Sequence, residues 1–225
     1  MTLAEISDLL DTRLNTFDKG VSVDEYEKSL YLTYAQTKVF EELTDIFEAN
    51  GDISKDLEPF IKEQIITSIV ARTGVIANSI FFNMPSDLHK TIYETVLLSS
   101  SDAILDGKEI KVIKTKLAEV VHKIENPFRV PNYEETIRVV TTDEVANSVA
   151  EIIQPEGATI TNYKIKYLEK VTPIVLEDLS SLGLEIEGVS AATNSKFDSE
   201  KLNIIIDLAI GLILQDKVVP KSEKV

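Results

Sequence analysis

Glu41, Glu42, Asp45 and Glu48 recur at the spacing that lines carboxylates along one side of a helix. Grouped acids can exchange protons with a substrate or hold a divalent cation. Here no histidine and no second acidic cluster lies beside them, so they read as the solvated face of a helix. His89 and His122 are the two histidines, and neither has a second imidazole three or four residues away, the spacing a helical metal site needs. Each reads as an ordinary surface or packing residue. Asp102 with Asp106-Gly107 has the look of a calcium loop, but the position two residues after Asp102 is Ile104, which has no oxygen to offer. That segment reads as a turn. Ser99, Ser100 and Ser101 have no nucleophile-elbow context and read as loop.

The glycines are scattered, with neither GxGxxG nor GxxxxGK[ST], so no backbone cradle for nucleotide phosphates is present. With no cysteine there is no disulfide, thiolate nucleophile or thiolate metal site. No catalytic, cofactor-binding or metal-binding residue is therefore assigned, and no cofactor is expected. One enzymatic reading stays open: two of the 38 Asp and Glu residues could form a glycosidase acid pair, which needs no local motif.

The elements that would carry such residues follow from charge and periodicity. In 225 residues, 23 Lys and Arg stand against 38 Asp and Glu, a net charge of −15. That balance argues against tight, non-specific affinity for nucleic acid or anionic membranes. The N-terminal segment MTLAEISDLLDTRL is acidic and amphipathic, unlike a secretion signal. The longest apolar run, IIIDLAIGLIL, is broken by Asp207 and is shorter than the ~20 residues that span a bilayer. A soluble chain is expected.

Thr2 with Glu5 and Ser22 with Glu25 fit the capping box and announce two helices. The first presents Leu3, Ile6, Leu10, Leu14 and Phe17 on one face. The second presents Leu32, Ala35, Val39, Phe40, Leu43, Ile46 and Phe47, and Asn50-Gly51 stops it. After Pro59 the chain turns β-branched. Strands are expected over 64–73, 75–82, 88–99, 108–115, 134–144, 146–154 and 161–171, with 88–114 as a hairpin around Asp106-Gly107 and with 146–154 open to a helical reading. A short helix is expected near 114–126. A last helix, about 198–216, carries apolar residues on more than one face, so either the N-terminal helices or a neighbouring subunit must cover it.

The fold class is α+β: a helical bundle built by residues 1–56 and 176–216, a β-rich insertion over 57–175, and a flexible tail over 217–225.

Three stretches carry a resemblance to a known family: DEYEKSLYLTYAQTKVFEEL (24–43), ENPFRVPN (125–132) and YKIKYLEKVTPIVLEDL (163–179). With the acidic linker and C-terminal helix that follow, the chain resembles virion structural proteins of crAss-like and related tailed phages, which form rings at the head-to-tail neck. The overall plan is also similar to the podovirus adaptor beneath the portal, while the insertion from 57 to 160 matches in outline. The resemblance implies a homo-oligomeric ring of twelve copies with the portal protein on one side and other neck or tail proteins on the other. It implies a virion location, assembly in the host bacterial cytoplasm, and phage DNA that passes without specific binding. The acidic face of the second helix, or others like it, would line the channel and repel the duplex. A generic virion or surface binding module is the alternative of a different class.

Overall fold

Residues 1–17, 21–72, 74, 76–124, 131–142 and 148–218 are described by a computed structural model of the chain. The fold is mixed α+β with its strands in the middle of the sequence. Two units can be distinguished, Met1–Phe60 with Val171–Val225, and Ile61–Lys170.

In the first unit, helix α1 (Leu3–Phe17) starts with the expected reciprocal cap: the Thr2 amide donates to Glu5 Oε2 at 2.7 Å and the Glu5 amide to Thr2 Oγ1 at 3.3 Å. Helix α2 (Glu25–Asn50) departs from expectation, because its cap is Asp24, whose Oδ1 accepts the Glu27 amide at 2.7 Å. A carboxylate at that position satisfies an orphan N–H and also meets the positive end of the helix dipole, an advantage that a serine lacks. Gly51 ends α2 in the left-handed conformation, φ 75°, returning its N–H to the Phe47 carbonyl. Helix α4 (Ser199–Val218) is capped by Asp198, which accepts the Lys201 amide at 2.9 Å.

The buried faces of these helices are Ile6, Leu10 and Leu14 of α1, Leu32, Ala35, Val39 and Phe40 of α2, and Leu202, Ile205, Ile206, Ala209 and Ile213 of α4. The start of α2 lies beside the end of α4, where the Tyr31 hydroxyl donates to Asp216 at 3.0 Å and Lys217 pairs with Glu27 at 2.7 Å. Arg13 ties α1 to α4 through Asp207 at 2.5 Å and Asn203 at 2.7 Å. Farther along α2, the rings of Phe40, Phe60 and Phe197 pack in tilted pairs with centroids 5.1 and 4.8 Å apart. The expected apolar stripe of α2 is not all covered: Leu43 and Phe47 are half-buried and Ile46 is exposed. Nor is that of α4, on which Ile204 faces solvent.

The second unit holds seven strands, β1 (Ile61–Ile66), β2 (Ser79–Asn83), β3 (Leu88–Ser99), β4 (Glu109–Lys114), β5 (Glu135–Thr142), β6 (Ser148–Ile153) and β7 (Thr159–Glu169). Their order is β1-β7-β3-β4-β5-β6-β2, antiparallel throughout except for the parallel β4–β5 pair, whose connection contains helix α3 (Leu117–Ile124). The first strand begins earlier than expected, directly after a 3-10 turn (Lys55–Phe60) that accommodates Pro59, and it ends at Ile66. Ile69 then makes a single bridge to Phe82 on β2, the opposite edge, and the Val70 amide reaches the Phe81 carbonyl at 2.8 Å. The sheet is thus curled until its two edges meet. Ile66, Phe82, Val96, Ile110, Ile152 and Tyr163 are among the side chains that fill its inner side, while Val120 of α3 packs with Ile137, Val139 and Ile153 on the outer side. The segment open to a helical reading is β6, and both of its edges are taken, by β5 and β2.

Candidate functional site

The residues that could have carried chemistry are placed apart. His89 is exposed on β3 and His122 is exposed on α3. Among the described residues no cluster of three or more His, Asp or Glu is arranged to hold a metal ion. Asp102 and Asp106 spend their carboxylates on their own turn: Asp102 Oδ1 accepts the Ile104 amide at 3.0 Å, and Asp106 Oδ1 accepts the Ser100 amide at 3.1 Å. Ser100 donates to the Gly157 carbonyl at 2.9 Å, as a loop residue would.

The cleft lined by Lys62, Asp87 and Tyr167 brings titratable groups together. Lys62 Nζ sits 2.6 Å from Asp87 and 2.5 Å from Glu169, and the Tyr167 hydroxyl donates to Asp87 at 2.9 Å. Burial works to raise the Asp87 pKa, but the hydrogen bonds from Lys62 and Tyr167 outweigh it and hold the carboxyl below its ordinary value. Burial, with Asp87 beside it, pushes Tyr167 up to about 12. An acid-pair hydrolase needs one carboxyl that keeps its proton near neutral pH. Asp87 is shifted the opposite way, so this trio works as an ion-pair brace.

The densest set of specific contacts belongs to α2. Ser29, Thr33 and Gln36, spaced four and three apart, lie on one buried face and bind an extended segment over 172–176. Ser29 Oγ accepts the Leu176 amide at 3.0 Å. Thr33 Oγ1 accepts the Ile174 amide at 3.1 Å and lies 3.2 Å from the Ile174 carbonyl, and Gln36 Nε2 donates to the Thr172 carbonyl at 2.8 Å. A buried backbone needs partners for its polar groups; the helix face supplies them at Thr172, Ile174 and Leu176, while Val175 between them pairs with Thr193 in an antiparallel bridge. Next to this ladder, Lys28 is buried between Asp11 and Glu25, each 2.7 Å away, and also donates to Ser7 Oγ at 3.0 Å. Burial alone would depress its pKa, but the two carboxylates prevail and raise it. None of these polar positions stands out in an apolar-stripe reading. The signal that could have found them is the run S-x-x-x-T-x-x-Q on the face where apolar residues would be expected.

On its outer side α2 carries Glu27, Leu30, Tyr34, Lys38, Glu41 and Asp45 at helical spacing. Leu30, Tyr31 and Tyr34 face Leu212 of α4 across a shallow open groove whose end is marked by Glu27 and Asp216. The acidic face expected from Glu41, Glu42, Asp45 and Glu48 is indeed exposed to solvent. What this arrangement offers is contact area and charge.

A family model described as phage tail ring protein 3/4 matches residues 1–224. The chain belongs to this phage tail ring protein family. Two relatives come from one virus, Bacteroides phage crAss001. Its ring protein 3 is 29% identical, covering 96% of this chain and 96% of its own length, and its ring protein 4/5 is 28% identical, covering 93% and 92%. Of the three stretches that carry the family resemblance, 24–43 forms the start of α2 with its cap and 163–179 forms β7 and the segment α2 binds. Residues 125–130 of the third, and 219–225 of the expected tail, lie outside the described residues. In this ring protein family member, then, two of the recognisable stretches are the two halves of the α2 ladder. No helix among the described residues is long and apolar enough to cross a membrane.

Proposed function

We propose that this chain is a non-enzymatic virion component that assembles with copies of itself into a ring at the portal–tail junction, as a head-to-tail connector or adaptor. Similarity over almost the whole chain to proteins named for rings carries this reading. The N- and C-terminal helices serve as its helical bundle, and the β-rich unit is inserted between them in the sequence. The ring has twelve copies, contacts the portal protein and other neck or tail proteins, and is put together in the host bacterial cytoplasm.

The charge distribution supports a DNA-conducting position. The sequence of the first unit has 10 basic and 23 acidic residues, a net −13, while Ile61–Lys170 has 13 basic and 15 acidic, a net −2. A wall of that sign repels the duplex over ~8 Å at physiological salt and lets it slide. Electron cryomicroscopy of particles containing this chain tests the proposal. A ring of twelve copies directly below the portal is expected, and finding the chain scattered over the capsid or at the distal end of the tail would overturn it.

A further inference from the structure

A closed ring requires each copy to meet its two neighbours through two different surfaces that fit one another. Charge separates the candidates. A contact between two copies of the Met1–Phe60, Val171–Val225 unit sets net −13 against net −13, whereas the nearly balanced Ile61–Lys170 unit opposes it far less.

Each unit also exposes an apolar patch beside charges that make no ion pair among the described residues, acidic on the first unit and basic on the second. On the first unit, Leu30 and Tyr34 of α2 are 40% and 62% exposed and border the groove with α4, whose wall on that helix is Leu212 and Asp216. Farther along the same stripe, beyond Lys38, Glu41 and Asp45 are exposed and make no ion pair among the described residues. On the second unit, the outward face of β1, β7, β3 and β4 aligns Ile65, Lys164, Thr95 and Lys111 as successive cross-strand neighbours, with Lys166 beside Tyr93 in the adjacent row. Ile65 is 59% exposed and Tyr93 50%. Lys164 holds Glu63 at 3.2 Å, and Glu109 also lies on this face, but Lys111 and Lys166 make no ion pair among the described residues.

We infer that the α2–α4 groove of one copy receives the outward β1–β7–β3–β4 face of the next copy. Leu30, Tyr34 and Leu212 meet Tyr93 and Ile65, and Glu41 and Asp45 meet Lys111 and Lys166. This assignment rests on the ring reading above and names the surfaces that would close it.

The absence of native cysteine makes the test direct. Tyr34→Cys, Tyr93→Cys and the double variant are incorporated into particles and treated with a short thiol-to-thiol linker. The double variant is expected to give a covalent ladder of dimers and higher multiples on a denaturing gel, and each single variant to stay monomeric. Lys111→Glu with Lys166→Glu is expected to weaken each contact about tenfold, and Glu41→Lys with Asp45→Lys in the same chain to restore the ladder. Dimers from Tyr34→Cys alone would mean that groove meets groove and would overturn the inference. Monomers from the double variant in particles that still show rings would overturn it while leaving the ring reading intact. Particles with no ring of this chain would remove both.

Discussion

Arg138 occupies a position on β5 where the alternation of the sheet places Thr136 and Arg138 on the inner side and Ile137 and Val139 against α3. Its guanidinium pairs with Glu94, whose other oxygen accepts the Tyr163 hydroxyl at 2.9 Å, and all three are buried. Burial, with the Glu94 charge next, pushes the Tyr163 pKa upward, so the phenol stays protonated and keeps donating. A buried ion pair adds little net stability over a well-packed apolar pair, but removing one partner strands the other. Arg138→Met is therefore expected to destabilise the chain by ~3–5 kcal/mol, since it leaves the Glu94 carboxylate inside the sheet without a cation. Adding Glu94→Leu should recover most of that loss. Urea unfolding of the two variants measures both effects, and a double variant as unstable as Arg138→Met would show that the stranded Glu94 charge is not the main source of the loss.

The unit of design at the next scale is α2, which binds the 172–176 segment through side chains that a sequence pattern ranks as ordinary. Thr33→Val keeps the shape but removes the partner of both Ile174 polar groups, and is expected to cost ~1–3 kcal/mol. Thr37→Val loses only a hydrogen bond to the Thr33 carbonyl within the helix and should lie near zero. Thermal or chemical unfolding of the pair discriminates them. The contrast also marks what could be read in advance. Periodicity located α2 and α4, the Thr2–Glu5 cap was legible as a local signature, and the strands after the first were expected in approximately their places, while the first, expected over 64–73, spans Ile61–Ile66. The run of Ser29, Thr33 and Gln36 marks polar residues on an otherwise apolar face, but their partners were not legible, since they lie more than a hundred positions away. The same distance hid the β1–β7 pairing and the parallel β4–β5 register, which no local alternation specifies. Leu30 and Tyr34 illustrate a different limit: a wide apolar stripe reads alike whether its own chain or a neighbour covers it.

For the molecule as a whole, the uneven charge is the dominant physical fact. Neutralising phosphates requires clustered cations, whereas the excess acid here belongs to one unit. Labelled duplex DNA mixed with the purified chain at ~50 mM salt, where such binding would be strongest, is expected to show no rise in fluorescence anisotropy. Salt-sensitive binding would contradict a conducting wall and require a basic surface elsewhere.

The connectivity of that acidic unit has a temporal consequence. Its two parts flank Ile61–Lys170 in the chain, so α2 leaves the ribosome long before α4 does. At ~5–20 residues per second, the Ile61–Lys170 strands have all been synthesised while α2 still awaits the helix it packs against. The groove between those helices can exist only once α4 has emerged, so a nascent chain that has completed α2 and every strand still cannot offer that surface to a finished neighbour.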